Sequence, residues 1–448
     1  MRLGWRYCIA LAVLVAIWLA VVVKFSDKII NHGNAKSSEL VEVLWWSRDM
    51  ETWKYDEVRH CGINTCRITN QRHRLPMSRA VLFYGSNIKT GDFPLPRGEH
   101  HVWALLHEES PRNTPFVAHE EFLRHFHFTS TFSRFSNLPL TTQYLPSGQA
   151  LTSKDYHVSF AAKSKWAFRP SVSVAFLQSD CDTMSGREDY VKELMKYVHV
   201  DSYGSCLRNK DLPERQSFQR SAVLQNDYLN NLYSPELLRF LSDYKFMIAI
   251  ENAACPDYIT EKFWRPLVMG VIPIYFGSPT IKTWQPNKKS AIFVNDFPHP
   301  RALAQYLVEL ADNQTEYDSY RQHKLNWRNP ISNKILLHNL VTRQYHIGDS
   351  SPGGSLFDKF ECAVCNYVIN TARNVRANSR HYNCPVEPVY AHLENREMPQ
   401  NVADWRSMME VGQCQAKILD EFFQRNYSFH EADFEAELTR RMERNQCK

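Results

Sequence analysis

Short, mostly apolar runs recur along the chain with turn residues between them. Val41 to Trp46, Ala80 to Tyr84 and Val102 to His107 each read as a buried strand, since none has helical spacing and all are strand length. Together they predict a first α/β domain over residues 41–165. Its last part, residues 145–165, carries Pro, Ser, Gly and Lys with little apolar pattern and reads as a crossing between domains. The pattern then strengthens. Ser171 to Leu177 is an expected strand, and Ser185-Gly-Arg-Glu188 reads as a capping box. That box would open a helix with Tyr190, Val191, Leu194, Tyr197 and Val198 on one face. Phe246 to Ile250 is the next strand, Thr260 to Met269 a helix stopped by Gly270, and Val271 to Phe276 a further strand.

Strand, helix and strand in that order make a Rossmann-like unit over residues 166–349. Ligands of such sheets sit beyond the carboxyl ends of the strands, which is where Glu251 and Asn252 fall. From residue 350 to 448 long apolar runs become rare and cysteines frequent, predicting a disulfide-stapled extension.

The N-terminus holds an uncharged run from Cys8 to Val23, flanked by Arg2, Arg6, Lys24 and Lys28. Trp18 and bulky Val residues stand where a signal-peptide cleavage site would be, so residues 8–25 read as an uncleaved anchor, with a cytoplasmic tail at 1–7 and a stem at 26–40. Setting Cys8 aside, ten of the 11 cysteines remain, an even number that suits an oxidising lumen. Two glycosylation sequons, at Asn313 and Asn426, agree. The expectation is a single-pass type II protein of the Golgi or endoplasmic reticulum membrane with its catalytic part in the lumen.

With 448 residues there is room for two domains, and 44% apolar with 23% charged residues excludes a disordered or fibrous chain. The net charge of +5 is dispersed rather than clustered, which argues against nucleic acid as a partner.

Candidate chemistry is densest at Glu251-Asn252 and Tyr258-Ile-Thr-Glu261-Lys262. At the mouth of a strand-to-helix turn, Lys262 can meet a diphosphate, Glu261 ribose hydroxyls and Tyr258 a base or sugar. Helix capping with a surface Glu and Lys is the plainer reading. Arg187 offers a second cation or is simply exposed. Glu108 and Glu109, after the third strand, offer a general base or form a solvated acidic loop. Asp180-Cys181-Asp182 has the pattern of a metal site, although Cys181 reads better as disulfide-bonded. Cys362-x-x-Cys365 reads as one structural disulfide rather than a zinc or redox pair, and Cys61 with Cys66 as another.

The stretches Tyr244 to Asn252, Asp257 to Lys262 and Gly270 to Gly277 resemble the signature of the α-1,3-fucosyltransferase family, glycosyltransferase family ten. Cys66-Arg-Ile-Thr, Glu109-Ser-Pro, Phe128 to Arg134 and Val200-Asp-Ser-Tyr-Gly204 extend the likeness over residues 41–330. Trp264-Arg-Pro, Leu138 to Tyr144, Leu207-Arg-Asn-Lys-Asp and the Cys-rich tail are most similar to the divergent branch of fucosyltransferases ten and eleven. The resemblance implies a GT-B fold of two Rossmann-like domains facing a crevice, and inverting transfer from GDP-fucose with no essential metal or other cofactor. It carries donor binding to Arg187, Tyr203, Asn252, Tyr258, Glu261 and Lys262, and the catalytic base to Glu109, with Glu108 as the alternative. The acceptor is left open between a glycan GlcNAc and a Ser or Thr of a folded protein. A lumenal lectin or chaperone-like module that keeps the pocket, and a metal-dependent transferase with another donor, are the rival readings.

Overall fold

In the computed structural model the described residues are 40–47, 56–165, 172–213, 232–343, 345, 354–370, 375–393 and 397–447. The expected tail and anchor, and all but the last residue of the stem, lie outside them. No described helix is long and apolar enough to cross a membrane. Contacts group Glu42–Lys448 as one compact unit.

That unit contains two sheets. The first joins β1 (Val41–Trp45), β2 (Asp56–Cys61), β3 (Asn64–Thr69), β4 (Ser78–Tyr84), β5 (Val102–His107) and β6 (Phe128–Thr131) in the order β2-β3-β1-β4-β5-β6. β1, β4, β5 and β6 run parallel, and β2 with β3 is an antiparallel hairpin. The second sheet is wholly parallel: β7 (Val174–Leu177), β8 (Val200–Tyr203), β9 (Phe246–Ile250), β10 (Ile272–Phe276) and β11 (Ile292–Phe293), in the order β11-β10-β9-β7-β8. Both faces of this sheet are apolar, which is why its strands read as unbroken runs. On β9, Phe246, Ile248 and Ile250 enter one core cluster while Met247 and Ala249 enter another.

Two helices place functional residues in the second lobe. α1 (Arg187–Leu194) starts one residue later than a Ser185 cap would require. Gly186 is the N-cap at φ +66°, a left-handed conformation that costs Gly little, and no side chain caps the helix. The expected capping box is therefore absent: the Glu188 carboxylate instead accepts from the Thr183 hydroxyl at 3.0 Å. α2 (Glu261–Met269) follows the expectation, with Thr260 as its N-cap.

The C-terminal part is no appendage. α3 (Leu356–Asn370) packs on the first sheet, where Trp45 meets Phe357 and Phe360 and donates from Nε1 to Glu361 at 2.7 Å. α4 (Gln400–Arg425) covers the opposite face, sharing one core with Val81, Phe83, Trp103 and Leu105 through Trp405, Met409, Ile418 and Phe423. All ten cysteines after Cys8 are paired: Cys61–Cys362, Cys66–Cys365, Cys181–Cys206, Cys255–Cys384 and Cys414–Cys447. Cys61, Cys66, Cys362 and Cys365 are thus all disulfide-bonded, but the two close-spaced pairings expected from sequence are wrong. In the β2–β3 hairpin Cys61 faces Asn64 and Cys66 faces Arg59, so the two sulfurs lie at different registers. Cys362 and Cys365 lie one turn apart on α3, which matches that offset and sends each bond across the layer.

Candidate functional site

The two lobes meet where the carboxyl ends of β5 and β9 converge. β5 ends at His107, and the two following residues are Glu108 and Glu109. The Tyr258 hydroxyl, from the β9–α2 connection, lies 3.3 Å from Glu109 Oε2. Burial pushes the Glu109 carboxyl above its ordinary value, partly offset by the nearby Lys262 ammonium. Glu108 points elsewhere: its Oε1 accepts from the Tyr84 hydroxyl, and burial raises its carboxyl to about 7. Of the two acidic residues, Glu109 is the one that faces the second lobe.

On the second-lobe side, Lys262 Nζ is 3.3 Å from Glu261 Oε1, 3.6 Å from Glu251 Oε2 and 3.1 Å from the Thr260 hydroxyl. Glu251 is fully buried and accepts from Thr260 N at 2.8 Å and Thr260 Oγ1 at 2.7 Å, which ties the end of β9 to the start of α2. Gly277 allows this approach, since a Cβ there would meet Glu251 Cγ at 2.6 Å. Burial works against ionised Glu261, but Lys262 and Arg265 outweigh it and hold the carboxyl below its usual range. Asn252 has a buried side-chain oxygen with no hydrogen-bond partner among the described residues.

Arg187 is 0% exposed, which removes the reading of it as a surface residue. Its guanidinium donates to Asp180 O at 2.7 Å and lies 3.1 Å from the Glu188 carboxylate, with Ile250 O at the end of β9 3.4 Å away. Tyr203 is not brought to this cluster. Its ring is fully buried against Phe240 and Tyr244, and its hydroxyl pairs with the Tyr244 hydroxyl at 2.5 Å, so it serves the core. Asp180 is ion-paired with Arg112 and Cys181 is bonded to Cys206, so Asp180-Cys181-Asp182 does not offer two free carboxylates to a cation. Among the described residues no group of three or more His, Cys, Asp or Glu side chains is arranged to hold a metal ion. Both sequon asparagines are exposed at helix ends: Asn313 caps the helix that begins at Gln314, and Asn426 closes α4.

Sequence reasoning missed two features. Arg134, after β6, forms a two-pronged ion pair across the lobes with Asp257, at 2.8 Å from Nε and 2.5 Å from Nη2. Asp257 is itself at φ +67°, next to Tyr258. Both residues stood inside motifs already singled out, which was the available signal. The second is Tyr382, in the C-terminal part, whose hydroxyl donates to the main-chain oxygen of Glu109 at 2.7 Å. Nothing in the sequence near it spoke of a site.

The sequence profile of the fucosyltransferase N-terminal domain matches residues 38–144, and that of the C-terminal part of glycosyltransferase family 10 (fucosyltransferase) matches residues 168–380. The chain belongs to the family 10 fucosyltransferases. This fucosyltransferase is 73% identical over 447 residues to α-(1,3)-fucosyltransferase B of Drosophila melanogaster, covering 100% of this chain and 99% of that one. It is 40% identical over 404 residues to GDP-fucose protein O-fucosyltransferase 3 of Xenopus laevis, covering 88% of this chain and 83% of that one. A crystal structure of an α1,3-fucosyltransferase shares 15% identity at a TM-score of 0.42, covering 79% of this chain and 94% of that chain.

Proposed function

We propose that this fucosyltransferase moves L-fucose from GDP-fucose to an acceptor hydroxyl by a single displacement with inversion, in a GT-B arrangement of its two lobes. The supporting observation is the meeting of Glu109 from the first lobe with Tyr258 from the second at 3.3 Å, beside Lys262. In the reaction the acceptor oxygen attacks the anomeric carbon, the bond from that carbon to the diphosphate breaks, and Glu109 takes the acceptor's proton. Lys262, at the N-terminus of α2, counters charge growing on the leaving GDP, and Arg187 adds positive potential from beneath the end of β9. Glu261, Tyr258 and Asn252 hold the donor's hydroxyls and rings. No metal is assigned a role.

The acceptor we favour is a Ser or Thr hydroxyl of a folded protein, supported by the relative named GDP-fucose protein O-fucosyltransferase 3. The name of the 73% identical relative specifies an α-(1,3) linkage, which fits a sugar hydroxyl such as that of a GlcNAc instead. Five disulfides and two exposed sequons support a lumenal catalytic part, anchored by residues 8–25 in the Golgi or endoplasmic reticulum membrane.

The test is transfer by the detergent-solubilised full chain, with chelator, to folded disulfide-rich proteins bearing free Ser and Thr and to the same proteins carrying N-glycans. Intact mass and peptide mapping report the product. One added deoxyhexose on a Ser or Thr, from GDP-fucose and not from UDP-GlcNAc or CMP-sialic acid, is the expected result. Addition only to glycans selects the second acceptor, and transfer from another donor refutes the reading.

A further inference from the structure

We infer that Tyr382 is a positioning residue for the transfer step, holding the Glu109 main chain in place, and that the Cys255–Cys384 disulfide tethers it. The inference rests on the reading of Glu109 as the base.

Glu109 is held at two points. The Tyr382 hydroxyl donates to its main-chain oxygen at 2.7 Å, and the Tyr258 hydroxyl reaches its carboxylate at 3.3 Å. One ring joins these two tyrosines: Phe132 lies 4.7 Å from Tyr382 and 5.2 Å from Tyr258, centroid to centroid. Tyr382 also stacks on His107, the last residue of β5, at 5.1 Å and 25°. It is fully buried, and its hydroxyl meets the Glu109 main chain rather than the carboxylate. Its own place is set by neighbours on both sides. The Ser133 hydroxyl donates to Arg380 O at 2.6 Å and the Ser136 hydroxyl to His381 O at 3.2 Å. Cys384 is bonded to Cys255, three residues before Tyr258. The family match ends at residue 380, so it assigns no role to Tyr382 or Cys384.

Such a support has a physical purpose. With β5 ended at His107, Glu109 lies beyond the ladder bonds that keep a strand rigid, while a general base must stay within hydrogen-bond reach of the proton it takes. A misplacement of about 1 Å can cost roughly 10²-fold in rate. Because Tyr382 donates to a carbonyl and not to the carboxylate, losing its hydroxyl changes how often the carboxylate is aimed and leaves its proton affinity alone.

The experiment uses the full chain as wild type, Tyr382→Phe, Glu109→Gln and the double variant Cys255→Ser/Cys384→Ser. GDP released from GDP-fucose, with water as acceptor, is measured against pH and normalised to the number of GDP-binding sites. Tyr382→Phe is expected to lower kcat about tenfold, part of the 10²-fold range above, with KM for GDP-fucose and the midpoint of the acid limb unchanged and Tm lowered only by the loss of one buried hydrogen bond. The double cysteine variant should lose both kcat and Tm. Wild-type kcat in Tyr382→Phe, a loss explained by fewer GDP-binding sites, or a shifted acid limb overturns the positioning role. A double cysteine variant that loses Tm but keeps kcat overturns the tether. Glu109→Gln separates the two readings: if it turns over like wild type, the base assignment itself fails, whereas an inactive Glu109→Gln beside an unimpaired Tyr382→Phe refutes only the positioning.

Discussion

Replacing Glu109 by Gln removes the negative charge and the basicity while keeping the shape, and each consequence can be worked from the site. Gln keeps a carbonyl oxygen for the Tyr258 hydroxyl, now 3.3 Å from Glu109 Oε2, and the Tyr382 contact is to main chain, so the loop holds its course. The donor-side groups Lys262, Glu261 and Asn252 are untouched. Glu109 and Glu261 repel each other while Glu109 and Lys262 attract, so the two electrostatic changes oppose. The net effect on GDP-fucose affinity should stay under about 1 kcal/mol, or less than about fivefold. The chemical step has no such compensation. A general base contributes about 10²–10⁴-fold, which is about 3–5 kcal/mol of barrier, and Gln supplies none of it. Stability should hold or rise in mildly alkaline buffer, because burial opposes the ionised Glu109 carboxylate and Gln has no such penalty. Steady-state GDP release, GDP-fucose calorimetry and thermal unfolding together read these three quantities. Turnover within tenfold of wild type, with unchanged affinity, would refute the assignment.

Lys262→Ala should differ in kind, because in the proposed reaction its ammonium meets phosphate charge both before and during the transfer. Losing a charged hydrogen-bond donor of about 1.5–3 kcal/mol predicts a roughly 10–150-fold fall in kcat/KM together with weaker GDP binding. Unchanged GDP affinity by calorimetry would count against its place at the diphosphate. Arg134→Ala removes the counter-charge of the Asp257 carboxylate, which is only 4% exposed and is kept below its usual range against burial by Arg134, Thr280 and Trp284, and leaves it the hydrogen bonds from Thr280 and Trp284. Because the Arg134 side chain is itself 25% exposed, the cost should fall short of a fully buried pair, at about 1–3 kcal/mol by denaturant titration. Acid should destabilise the fold through buried histidines. Burial lowers His107, His127 and His323 to about 3, against 6.5 unfolded, so between those values the unfolded chain binds more protons and stability falls as pH drops. Glu108, raised from 4.5 to about 7, has the opposite slope, as do Glu109 and Glu251, whose carboxyls burial also raises, while His125 and His157, lowered to about 4, add to the histidine side. A Tm that stays flat from neutral pH down to about 4 would contradict this balance.

Much of the architecture was legible because it is written in contiguous stretches. β1, β5 and β9 match apolar runs, and Thr260 to Gly270 carries both ends of α2. Glu251, Tyr258, Glu261 and Lys262 fell to one site because a strand and the helix after it share a turn, so chain neighbours are space neighbours there. The β2–β3 hairpin went unread, since its burial is sparse and its polar residues interrupt any apolar run. Local pattern also misassigned Ser185 as a cap and paired cysteines by proximity, where the hairpin register and one helical turn of α3 dictated the partners. Tyr203 looked like a ligand contact by its motif, yet its ring completes a core.

The sequence by itself determined the class of chemistry and the strand-turn-helix unit proposed to hold the donor, because those depend on residue types at short spacing on one stretch of chain. Only the tertiary structure decided that Glu109 rather than Glu108 faces that unit, that Arg134 locks onto Asp257, and that Tyr382 comes from a distant segment to bond the Glu109 main chain. Each of these depends on side chains separated by more than a hundred positions and meeting between two sheets, and the cost of burying a carboxylate or a hydroxyl without a partner is what brings such pairs together.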